Sequence, residues 1–195
     1  MDDSPPLRPP GCNWPIVLGV DPGTRALGYG FVVVAPAGPR LLAAGVLKAT
    51  QSKIAERLGF LGREIDGLLQ SFRPDCMAVE SAFFARNVRS ALRLGEGRGV
   101  VLACGARFGI DVCEYAPAVV KKAIVGHGTA SKEQVAAMVR TTLGAPDLEV
   151  GLDASDALAI ALTHVFQSRA PGGTGAPEGG RTPFDSRPDV GTISQ

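Results

Sequence analysis

The apolar positions of the chain fall first into short unbroken runs and later into helical stripes. IVLGV (16–20) is too short for a helix and is bounded by turn residues, so it predicts a buried strand. DPGTRALG then turns the chain, YGFVVVA (29–35) reads as a second strand, and LLAAGVL (41–47) as a third after GPR. The links are short, which makes the three an antiparallel meander. Ile54, Leu58, Leu61, Ile65 and Leu68 recur at helical spacing over 52–70, with Ser52 placed to cap the start. DCMAVE after Pro74 predicts a fourth strand ending at Glu80. Residues 87–107 read as a helix despite Gly95, Gly97, Gly99 and Gly105. Each of those glycines costs about 1 kcal/mol relative to alanine, and a close helix–helix contact would account for them. IDVCEY (110–115) is a fifth strand, short helices cover 117–123 and 131–142, and a strongly apolar last helix covers 153–168.

The order βββ-α-β-α-β-α-α-α implies an α/β fold, a mixed five-stranded sheet flanked by helices. The Pro-rich front, 1–14, reads as a flexible arm. From 169 to 195 Gly, Pro, Ser and Thr dominate and no periodicity survives, the signature of a disordered tail. One folded domain over 15–168 remains, long enough for a real core.

Composition narrows the class. Hydrophobic residues make up 45% and charged residues 20%, as in soluble globular proteins. No run of 18 apolar residues suggests a membrane span, and no signal-peptide pattern opens the chain. Cys12, Cys76, Cys104 and Cys113 form no CxxC pair and stand at no regular spacing from His127 or His164. That argues against a zinc site and fits free thiols in a reduced, cytoplasmic protein.

The candidate chemistry is acidic. Asp21 ends the first strand and Glu80 the fourth, and ligands of α/β sheets gather beyond the carboxyl ends of strands. Asp153 and Asp156 lie at i and i+3, on one face of the last helix. Taken singly, each aspartate has an ordinary explanation: Asp153 as an N-cap, Asp156 as a first-turn acid, Asp21 as an Asx-turn residue before Pro22 and Gly23. Glu80 has no such duty. Four converging carboxylates would repel one another unless cations sat between them. Oxygen donors without sulfur or paired imidazoles suit Mg²⁺ or Mn²⁺. Two such ions can activate water and stabilise a leaving alkoxide at a phosphodiester.

The net charge of +1 hides an uneven distribution. Set the four acids aside and the rest of 16–168 is basic. Arg86, Arg89, Arg93 and Arg98 follow Glu80, and Lys121, Lys122 and Lys132 form a second group, with Lys121 and Lys132 flanking the Gly-bearing VGHGTAS. Such groups hold a phosphate backbone, or else line an ordinary solvated helix face. His127 reads as a solvent-facing loop residue. Phe83 and Phe84 cannot easily both face the core, so one is free to stack on or wedge between bases, or to join a local cluster.

Four stretches then carry a resemblance: LGVDPGTRALGYG (18–30), PDCMAVESAFFARNVRSALRLGEGRGV (74–100), EYAPAVVKKAIVGHGTASKEQV (114–135) and LDASDALAIALTH (152–164). In order and interval they resemble the bacterial RuvC family of crossover junction endodeoxyribonucleases, which have a ribonuclease-H-like fold. The resemblance implies that Asp21, Glu80, Asp153 and Asp156 are the family's four catalytic, metal-binding acids, holding two Mg²⁺ ions per subunit that Mn²⁺ can replace. It implies that Phe83 disturbs the junction centre and that Lys121 and Lys132 contact DNA near the scissile phosphates. It further implies a homodimer that nicks two opposed strands of a four-way junction symmetrically, leaving 5′-phosphate and 3′-hydroxyl ends, and that works with the RuvA–RuvB branch-migration complex. Ser81 stands where the family often has glutamine, and the arm and tail are longer than usual. The competing classes are a ribonuclease-H-like nuclease of different specificity, a junction-binding protein without chemistry, and an actin-like ATPase. The chain is too short for the two domains the last requires.

Overall fold

A computed structural model describes residues 14–81 and 88–169 of the 195. The predicted tail therefore falls outside the described residues beyond Arg169, and the predicted arm before Trp14. The chain begins with β1 (Ile16–Asp21), β2 (Ala26–Ala35) and β3 (Gly38–Lys48), an antiparallel meander. Helix α1 (Ile54–Phe72) carries it to β4 (Cys76–Glu80), which pairs parallel with β1. Helix α2 (Val88–Arg107) leads to β5 (Asp111–Tyr115), parallel to β4. Three helices follow: α3 (Pro117–Val125), α4 (Lys132–Thr142) and α5 (Leu152–Arg169). The sheet order is β3-β2-β1-β4-β5, the mixed five-stranded sheet expected from the pattern.

Strand periodicity assigns the two faces. Successive side chains alternate across a sheet, so Ile16, Leu18 and Val20 of β1 share one face with Met77 and Val79 of β4. This face packs with Leu61, Ile65, Leu69 and Phe72 of α1 and with Val101 and Cys104 of α2. Phe31 stacks on Phe72 with ring centroids 4.2 Å apart. The other face presents Val17, Val32, Ala78 and Tyr115 to α3, α4 and α5. Helix α5 is buried nearly all round, from Ala154 to Val165, because it is sandwiched between the sheet and its neighbouring helices. That explains why its sequence is a continuous apolar run and not a stripe.

Helix α5 lies close to the sheet, and Gly19, Gly28 and Gly30 make room for it, the last beside Leu158. A Cβ on Gly19 would collide with the backbone of Ala157 and Ala161, and one on Gly28 with the carbonyl of Asp153. On α2 the glycines serve a different purpose from the helix–helix contact expected of them. Gly97 allows close approach to the Gly23 backbone, and Gly105 to Val112 and Met77 of the sheet, while Gly95 and Gly99 face open space.

Local capping differs from expectation at α1. Its N-cap is Lys53, with no side-chain cap, and Ser52 contributes only its carbonyl, which accepts from Arg57. Arg57 is 2% exposed and donates from Nε to the Thr24 carbonyl and from one terminal nitrogen to the carbonyls of Gln51 and Ser52. A buried cation thus ties α1 to the turn that follows Asp21. Helix α4 starts with a reciprocal capping box between Ser131 and Gln134, which sets Lys132 at its first position.

Candidate active site

The parity that sorts the core also aims the acids. Asp21 is the last residue of β1 and lies on the α5 face, with Val17 and Gly19. Glu80 is the last of β4 and shares that face with Ala78. The parallel register pairs Val20 with Val79, so Asp21 and Glu80 follow side by side at the carboxyl ends of adjacent strands. Across the antiparallel pair Asp21 faces Gly28, the glycine against which the Asp153 backbone rests. The close seating of α5 therefore carries its first turn directly to the end of β1. Asp153 is the second residue of α5 and stands inside the helix, not at its cap.

Asp21, Glu80 and Asp156 line one crevice of ≈ 330 Å³ together with Lys121, Lys132, Pro117, Val120 and Ile160. Lys132 forms an ion pair with Asp156 at 2.5 Å. Burial is the main reason that the Asp21 carboxyl is pushed up from its ordinary range to about 7, with further contributions from Glu80, Asp156 and Asp153, partly opposed by Lys132. Glu80 is also raised, first by burial and then by Asp156, with Lys132 and Lys121 acting against the shift. The Lys132 ammonium moves up because Asp156 accepts its hydrogen bond. Two lysines thus fail to neutralise the carboxylates. A half-buried set of hard oxygen donors with excess negative charge fits divalent cations of the Mg²⁺ class.

The predicted basic residues separate into groups. Lys121 and Lys132 border the acids. Arg93 sits apart, in a shallow depression with Thr24, Ser90 and Leu94 beside the turn after Asp21. Arg98 is engaged by Glu114, which draws it out of the expected phosphate-binding cluster. Phe83 and Arg86 lie outside the described residues, as does the side chain of Arg89. His127 is exposed and bonds Thr129, as a loop residue does, whereas His164 is wholly buried and bonds Tyr115. Sequence reasoning missed Arg57. Its signal was its place four residues before Leu61, on the buried stripe of α1, where an unpaired cation has no ordinary reason to be.

A mixed sheet with carboxylates at the ends of its two central parallel strands and on a crossing helix defines a ribonuclease-H-like nuclease. The family model for crossover junction endodeoxyribonuclease RuvC matches residues 17–164. The RuvC protein of Chromohalobacter salexigens is 44% identical over 151 residues, which is 77% of this chain and 81% of that protein. The RuvC protein of Porphyromonas gingivalis is 44% identical over 159 residues, 80% of this chain and 84% of that protein. Among solved structures, T. thermophilus RuvC in complex with Holliday junction substrate superposes with a TM-score of 0.73 at 42% identity, covering 79% of this chain and 94% of that one. The yeast mitochondrial Holliday junction resolvase Ydc2 shares the fold, with a TM-score of 0.55 at 14% identity. The chain belongs to the RuvC family of crossover junction endodeoxyribonucleases, and it is a nuclease. Among the described residues no helix is long and apolar enough to cross a membrane.

Proposed function

We propose that this chain resolves four-way DNA junctions in the cytoplasm by paired, symmetric nicks that leave 5′-phosphate and 3′-hydroxyl ends. One observation carries the reading: Asp21, Glu80 and Asp156 converge with Lys121 and Lys132 on a single crevice, where burial and the neighbouring acids push the Asp21 carboxyl above its ordinary range despite Lys132. Asp21, Glu80, Asp153 and Asp156 would hold two Mg²⁺ ions, for which Mn²⁺ would substitute. Bound there, such ions would supply an acidified water and charge stabilisation at the leaving 3′-oxygen. Lys121 and Lys132 position the scissile phosphate, and Lys132 exchanges its contact with Asp156 for a phosphate oxygen when DNA enters. Arg86, Arg89 and Arg93 extend the phosphate track, and Phe83 acts at the junction centre.

Two opposed strands require two sites, which a two-fold homodimer supplies. Support comes from α2, where Val88 is 77% and Leu92 64% exposed. The RuvA–RuvB complex is the proposed partner that delivers the junction.

The test is cleavage of a labelled, immobile junction with varied central sequence in Mg²⁺ or Mn²⁺, beside duplex, single-stranded and RNA–DNA hybrid substrates, with Asp153→Asn as the inactive control. Paired, ligatable nicks in the junction alone are expected. Equal cutting of every substrate would replace the reading with a broader nuclease, and tight binding without cuts with an architectural protein.

A further inference from the structure

Away from the acidic crevice, on the same sheet face, three elements converge a second time. Cys76 of β4, Cys113 of β5 and His164 of α5 each place a ligating atom within 4.8 Å of the others. Cys76 and His164 are wholly buried and Cys113 is half-buried. His164 Nδ1 lies 4.0 Å from Cys76 Sγ and 2.8 Å from the Tyr115 hydroxyl, while Nε2 of the same ring is buried without a partner. We propose that Cys76, Cys113 and His164 form a second metal site, selective for a thiophilic cation of the Zn²⁺ class, with the Tyr115 hydroxyl or a water as the fourth ligand.

The donor set is the opposite of that in the crevice. Two sulfurs and an imidazole prefer a soft or borderline ion, whereas the four carboxylates prefer a hard one. Tetrahedral bonds of about 2.3 Å to sulfur and 2.0 Å to nitrogen put neighbouring ligand atoms roughly 3.5–3.8 Å apart. The separations present need to close by about 1 Å at most, within reach of small side-chain rotations. A Cys76–Cys113 disulfide is the poorer use of the pair. Cys113 is registered with Ala78, two residues beyond Cys76. Two steps along the strand and one across give a Cα separation of about 8 Å, outside the range a disulfide spans.

The position gives the site a consequence. His164 is eight residues after Asp156 on α5, about 12 Å along the axis, and Cys76 opens the strand that ends in Glu80. An ion there pins α5 to β4 and β5 without touching the catalytic acids, and stabilises the seating on which their geometry depends.

The experiment titrates Co²⁺ into the reduced, full-length Cys12→Ser protein under saturating Mg²⁺, which keeps the acidic crevice filled. A thiolate-to-cobalt charge-transfer band and tetrahedral d–d bands saturating at one equivalent are expected, with Zn²⁺ displacing the cobalt. Cys113→Ser should lose the band, Cys104→Ser and Asp153→Asn should keep it, and Zn²⁺ at a hundredfold excess over its Kd should raise Tm by roughly 5–10 °C. No thiolate band at stoichiometric cobalt in the Cys12→Ser protein would overturn the proposal whatever the variants do. An equal band in a folded Cys113→Ser protein would overturn it too. Loss of junction cleavage in Asp153→Asn with the band intact separates this site from the crevice.

Discussion

Asp21 shows at the scale of one residue how a buried carboxyl beside other acids costs stability. Its carboxyl is pushed up to about 7 when folded, from an ordinary value of 3.8. Between those values the folded protein holds a proton that the unfolded chain has lost, so the metal-free protein becomes less stable as pH rises from about 4 to about 7 and levels off above. Asp21→Asn removes the burden. Denaturant unfolding in EDTA should find that variant more stable than wild type by about 1–2 kcal/mol at pH 7.5, after allowance for solvent screening, with the gap closing toward pH 4. The same proton competes with metal. Calorimetry should show Mg²⁺ affinity falling below pH 7, with proton release that buffers of different ionisation heat reveal. A pH-independent affinity would remove Asp21 from the ligand set. Arg57 makes the complementary case. Arg57→Ala strands the buried carbonyl of Thr24, leaves those of Gln51 and Ser52 to water at the edge of the site, and empties the space of a buried side chain. With one carbonyl orphaned in the interior at roughly 1–3 kcal/mol, unfolding experiments should register a loss of about 1–3 kcal/mol. Asp21 and Glu80 were legible in the sequence because a strand shows its end and its parity. Arg57 left only its place on the buried stripe of α1 as a sign, since the three carbonyls that receive it come together only in the fold.

Among the elements, the seating of α5 on β1 and β2 decides whether the acids meet. Gly28→Ala drives a methyl group into the Asp153 carbonyl, so the first turn of α5 must lift. Overpacking of this kind costs about 1–3 kcal/mol, and a displacement near 1 Å costs catalysis on the order of a hundredfold. Gly67→Ala is the matched control, because its new methyl group would meet nothing within 4 Å on α1. Junction cleavage should fall at least tenfold in the first variant and hold in the second. Cleavage at the wild-type rate by a folded Gly28→Ala protein would show that the contact does not set the geometry. The elements themselves were largely readable, for the five strands and five helices follow from runs and stripes. The boundaries moved: β2 and β3 extend well beyond their apolar cores, since backbone pairing with each other continues where hydrophobicity stops. Ser52 failed as a cap because the helix begins two residues later, and capping depends on backbone geometry that residue type alone does not specify.

For the whole molecule, the open question of assembly rests on α2. Val88 and Leu92 are exposed one turn apart at its start, an apolar face that a second copy would cover. Leu92→Glu should shift sedimentation at micromolar concentration from dimer to monomer while leaving Mg²⁺ binding unchanged. A dimer that survives the charge would place the interface elsewhere. By itself the sequence determined the strand and helix order, the placing of Asp21 and Glu80 at strand ends, and the family, because these are local or periodic properties and long motifs. Tertiary structure alone decided what those residues become together. It lifted the Asp21 carboxyl through burial and crowding, split Arg98 from the other basic residues by pairing it with Glu114, and enclosed Arg57. It also assembled Cys76, Cys113 and His164 from three elements whose spacing along the chain argued against a metal site. Electrostatics and coordination act through distance in space, and that distance exists only once the chain has folded.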